Sequence, residues 1–136
     1  MDIRHYRDTH QQVLGQIDQL RGLIRGGIPA NSAAISELLV NIASGIKFHL
    51  AAEDKVLYPT LARSGDSVAM EAGERYQQEM KGLSAAFGEL VMRWRVPSRV
   101  AADPEEFRSH ANTVFKALFE RIMREERELY PIAEQV

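Results

Sequence analysis

The chain has 136 residues, 45% hydrophobic and 26% charged, with a formal net charge of −2 and no cysteine. That length suits one domain able to bury roughly two thirds of its unfolded surface, so no metal is needed merely to fold it. The weak net charge gives no case for nucleic acid or an anionic membrane as partner, and the missing cysteines exclude disulfides, thiolate zinc sites and cysteine nucleophiles. Any bound metal must be held by nitrogen and oxygen.

At the start, Met1-Asp2-Ile3-Arg4-His5-Tyr6-Arg7 contains no apolar signal region, and no later run approaches the length of a membrane span. A cytoplasmic location is therefore expected. From about Asp2 to Arg25, Ile3, Tyr6, His10, Val13, Leu14, Ile17, Leu20 and Ile24 recur every three or four residues, the mark of an amphipathic helix with His10 on its apolar stripe. His5 falls on the solvated side. Gly26-Gly27-Ile28-Pro29 stops this helix, and Asn31 or Ser32 is placed to cap the next.

The second helix is predicted from about Ser32 to Tyr58, with Ile35, Leu38, Leu39, Ile42, Ile46, His49, Leu50, Glu53, Val56 and Leu57 inward and Pro59 at its end. Ser64-Gly65-Asp66-Ser67 breaks the chain. A third helix, from about Ser67 to Arg95, buries Tyr76, Met80, Leu83, Phe87, Leu90 and Trp94 and carries Glu79 on the flank of that stripe. Pro97 closes it, and Asp103-Pro104-Glu105-Glu106 opens the last helix with a cap, a first-turn proline and acidic residues. That helix runs to about Tyr130, with Phe107, Ala111, Val114, Leu118, Arg121, Ile122, Glu125 and Leu129 inward. Nothing alternates like a strand, so the fold class is all-α: an up-down-up-down antiparallel four-helix bundle in one domain.

His49 and Glu53 stand one helical turn apart and share a face with Ile42, Ile46 and Leu57. A buried imidazole and carboxylate need a partner, and a metal ion is the most economical one. Later the chain repeats the pattern: Glu125 answers Glu53, Leu129-Tyr130-Pro131 answers Leu57-Tyr58-Pro59, and Arg121 stands where the histidine stood. The repeat suggests a duplicated helical hairpin bringing Glu53 and Glu125 to similar depth. His10, His49, Glu53 and Glu125 are the candidate ligands, and Glu79 could add another. Facing helices of bundles build iron and manganese sites from such side chains. Tyr58 and Tyr130 read as packing residues at helix ends.

With Asp8-Thr9-His10, His49-x-x-x-Glu53 before Leu57-Tyr58-Pro59, and Glu125-Glu126 before Leu129-Tyr130-Pro131, the chain resembles the hemerythrin-like (HHE cation-binding) domain over nearly its whole length. The resemblance implies a four-helix bundle with a non-haem di-iron centre and a role in binding or sensing oxygen, nitric oxide or iron. It also implies that His10 and His49 hold one metal and that Glu53 and Glu125 bridge. No histidine stands near Tyr76 to Glu79 in the third helix, and the fourth-helix histidine is Arg121, whose guanidinium has no lone pair to give. A single iron, or an altered di-iron pair with Glu79 as an oxygen ligand, fits better than the full centre. Another divalent metal stays open, and so does none.

The rival reading is a metal-free bundle acting as a regulatory or partner-binding module, in which Arg121 pairs with Glu53 or Glu125 and replaces the metal's charge. No separate substrate-binding motif can be read, so an oxidase or peroxidase activity has little support.

Overall fold

The computed structural model describes residues Met1–Val136, and all its regular elements are helical. In chain order they are α1 (Arg4–Arg25), α2 (Ser32–Ala52), α3 (Tyr58–Ala62), α4 (Ser67–Trp94), α5 (Pro97–Ala102), α6 (Pro104–Arg124) and α7 (Tyr130–Glu134). Wide π-helical turns at Glu53–Leu57 and Glu125–Leu129 join α2 to α3 and α6 to α7. Neither proline ends its helix as expected. A proline inside an α-helix lacks the N–H and drives its ring into the carbonyl four residues back, here that of Lys55 or Arg127. The wide turn relieves both conflicts: Tyr58 N–H reaches back five residues to the Glu53 carbonyl, and Tyr130 N–H to that of Glu125. Each rod then continues past its proline for about another turn. The extra residue also shifts the facing of the side chains, and Val56, expected inward, is 51% exposed.

Asp66 caps α4, its carboxylate accepting from Val68 N–H at 2.9 Å. Asn31 precedes α2 without capping it; its amide donates instead to the Leu23 carbonyl at 3.0 Å and ties the turn to the end of α1. Asp103 makes no capping hydrogen bond either. Between α4 and α6, where the sequence predicted only a break, Pro97 starts the short α5, and Val100 buries against the core.

The long elements pack α1 on α2, α2 on α4, α4 on α6 and α6 back on α1. Their apolar side chains form two separate cores. The larger includes Val13, Ile17, Leu20, Ile35, Leu39, Ile42, Phe87, Leu90, Trp94, Phe107 and Leu118; the smaller includes Ile3, Tyr6, Leu57, Tyr58, Leu61, Tyr76, Leu129 and Tyr130. His10, His49, Glu53, Arg121 and Glu125 are all buried; the histidines and glutamates fall between these two sets along their rods, and Arg121 lies one turn before Glu125. A polar layer thus interrupts the hydrophobic interior.

Candidate metal centre

His10 enters this layer from the second turn of α1, and His49 from the last turn of α2. Glu53 and Glu125 are the first residues of the two wide turns, so the devices that carry the rods past their prolines also begin at the two buried carboxylates. Glu53 is 0% and Glu125 2% exposed. Two carboxylates so deeply buried are costly to keep ionised without compensating charge.

Donor atoms converge around His10. Its Nε2 lies 3.0 Å from Glu125 Oε1, 3.2 Å from His49 Nε2 and 3.1 Å from the Tyr130 hydroxyl. His49 Nε2 is 3.4 Å from Glu53 Oε1 and 3.9 Å from Glu125 Oε1. On its far side, His10 Nδ1 stands 2.9 Å from Glu126 Oε1, and Arg7 holds the other Glu126 oxygen at 2.8 Å. In neutral His10 that contact requires the proton on Nδ1, leaving a bare lone pair on Nε2 aimed into the centre.

The Tyr130 hydroxyl donates to Glu53 Oε2 at 3.0 Å, which uses its single proton and turns its lone pairs toward the two imidazoles. His10 Nε2, His49 Nε2, Glu125 Oε1 and Tyr130 Oη therefore face one another with more lone pairs than protons. Without a metal, a proton on His49 Nε2 satisfies them in part. Burial by itself would lower the pKa of His49, but the facing carboxylates of Glu125 and Glu53 outweigh it and raise it to about 9. Burial likewise pushes Glu53 up. Glu125 is carried the other way, to about 2, because hydrogen bonds from His10 and His49 and the charge of Arg121 outweigh its burial.

His10, His49 and Glu125 each offer one ligand atom, and these atoms all lie within 4.8 Å of one another. Donors about 2.0–2.2 Å from a common ion stand about 3–3.5 Å apart, close to the spacings around His10 Nε2. Glu53 Oε1 and Glu125 Oε2 are buried with no hydrogen-bond partner. Of the two, Glu53 Oε1 stands 3.4 Å from His49 Nε2, and an unsatisfied carboxylate oxygen beside an imidazole is what a divalent cation relieves, so this donor set fits one.

The other side of Glu125 belongs to Arg121. Its Nη2 donates to the Tyr76 carbonyl at 2.8 Å and to the Tyr58 hydroxyl at 3.2 Å, and the guanidinium lies 4.6 Å over the Tyr76 ring. Its Nε approaches Glu125 Oε2 at 3.5 Å, yet neither atom gains a hydrogen bond. Arg121 forms no ion pair with Glu53. Glu79 is placed apart from the donor group: half-exposed, it is held by Arg124 at 2.8 Å and stands 3.5 Å from Arg121. The two cations draw its carboxylate toward the rim.

A family model described as the Hemerythrin HHE cation binding domain matches residues 1–133. The chain belongs to the hemerythrin HHE family. Searches of curated proteins and of solved structures returned no match. In this hemerythrin HHE domain, the duplicated motifs place the two tyrosines crosswise: Tyr130 lies against His49 of the other hairpin, and Tyr58 against Arg121. Reading the tyrosines as end-of-helix packing residues missed their hydroxyls, which the wide turns bring into the polar layer. Glu126 was missed as well. Its position beside Glu125 was visible, but its contact with α1 is made only in three dimensions.

Proposed function

We propose that this single-domain chain is a non-haem iron protein holding one metal, in an up-down-up-down four-helix bundle supported by the cyclic packing of α1, α2, α4 and α6. Its role is the binding or sensing of oxygen, nitric oxide or the metal itself. The convergence of His10 Nε2, His49 Nε2 and Glu125 Oε1 carries this reading. Two imidazoles and one carboxylate are a donor set suited to non-haem ferrous iron with open positions. Glu53 stands beside it as a further carboxylate, and Glu126 orients His10. Arg121 supports a count of one, because a fixed positive charge occupies the position that matches His49 in the second hairpin. Iron held there would supply redox chemistry and open positions for a small gaseous ligand.

Metal analysis of protein purified without chelator tests the proposal, with His49→Ala as control. About one iron per chain is expected in the wild type and none in the variant. Saturating metal should stabilise the fold, by about 2.7 kcal/mol at a hundredfold excess over Kd. No bound metal after anaerobic ferrous addition would overturn the reading.

A second reading rests on the approach of Arg121 to Glu125. In it the bundle is metal-free, Arg121 supplies the compensating charge, and the protein acts as a regulatory or partner-binding module. It requires thermal stability indifferent to both chelator and added metal.

A further inference from the structure

Tyr130 is fully buried, and its hydroxyl is a corner of the donor group rather than a bystander. Tyr130 Oη lies 3.1 Å from His10 Nε2 and 3.3 Å from His49 Nε2, the same range as the 3.0 Å from His10 Nε2 to Glu125 Oε1. Atoms that share one ion stand at about these separations. The ring is held on several sides: it stacks on His10 with centroids 5.2 Å apart and planes at 21°, and it lies 5.9 Å from the Tyr6 ring. The wide turn at Glu125–Leu129 sets its direction.

We propose that Tyr130 is itself a metal ligand, binding through its phenolate oxygen and completing a set with His10, His49 and Glu125. This rests on the metal-binding reading above. The bond that forms is from Tyr130 Oη to the metal, and the bond that breaks is the phenolic O–H. Its proton passes along the existing 3.0 Å hydrogen bond to Glu53 Oε2, so this proton stays in the buried layer. A hard, anionic oxygen donor favours ferric over ferrous iron and gives a phenolate-to-iron charge-transfer absorption in the visible, which imidazole and carboxylate ligands do not produce. Tyr58 differs in kind, because its hydroxyl accepts from the Arg121 cation and faces no imidazole.

The test loads the full chain with ferrous iron anaerobically, admits air, and records iron content, visible absorption and resonance Raman scattering excited in the visible band. Wild type is expected to bind iron and show the band with phenolate ring modes. Tyr130→Phe should keep bound iron and lose the band, whereas Tyr58→Phe, Tyr6→Phe and Tyr76→Phe should retain it. If Tyr130→Phe does not fold, ring-deuterated tyrosine in the wild type together with retention of the band in the other three variants assigns the ligand. Iron bound by wild type without the band, or a band surviving in Tyr130→Phe, overturns this inference alone. Wild type that binds no iron overturns the metal reading and this inference with it.

Discussion

His10 and Glu126, far apart in sequence, meet at 2.9 Å between Nδ1 and Oε1, and this contact decides which face of the imidazole is free. Arg7 clamps the same carboxylate, so Glu126 is fixed between a surface cation and a buried ring. Replacing it by Gln keeps the shape and lets the amide donate to Nδ1, which favours the tautomer whose Nε2 carries the proton. Glu126→Gln should weaken metal binding about 10–100-fold. Chelator competition reads the affinity, and an unchanged helical circular dichroism spectrum would show that the fold is intact.

The pH dependence of the metal-free protein should oppose that of metal binding. The facing carboxylates raise His49 from 6.5 to about 9. A folded-state pKa above the unfolded one stabilises fully below pH 6.5, and this contribution is lost as pH rises through about 9; it amounts to up to about 3 kcal/mol. Chemical denaturation of metal-free protein should show that decline. Metal must displace the same proton, so its apparent affinity should tighten about tenfold per pH unit across roughly pH 6 to 8. A flat affinity profile would count against His49 as a ligand.

In the metal-free state Arg121 shares the compensation of Glu125 with the proton held by His49. Arg121→Met fills similar volume but leaves Glu125 without its permanent cation and the Tyr76 carbonyl without its donor. Loss of one member of a buried ion pair costs about 3–5 kcal/mol, which thermal unfolding of chelator-treated protein would register. Metal should recover part of that loss in the variant, since the His10, His49 and Glu125 donors are untouched.

Two glycines of α4 should respond oppositely to alanine. Nothing lies within 4 Å of a side-chain carbon added at Gly88, so Gly88→Ala should stabilise by about 0.5–1 kcal/mol through helix propensity. At Gly73 the added carbon meets Leu61 Cβ at 3.1 Å and Cδ1 at 3.2 Å. Leu61 is fully buried and its Cβ is fixed to the backbone of α3, so crowding of about 1–3 kcal/mol outweighs the propensity gain. Denaturant midpoints of the two variants should move in opposite directions.

The sequence by itself determined that the chain is all-helical, that His10, His49, Glu53 and Glu125 lie on buried faces, and that the hairpin motif is duplicated with arginine in one copy. These are local facts: apolar spacing fixes which side of a helix is buried, and a polar residue on that side is buried with it. Only the tertiary structure decided how the proline-bearing rods continue, because a wide turn and an ended helix are both open to a segment before proline until packing chooses. It also decided that the hydroxyl of Tyr130 joins the imidazoles while that of Tyr58 meets Arg121, and that Glu126 rather than Glu79 supports the donor group. Such choices depend on distances between helices, which no spacing along a single helix encodes.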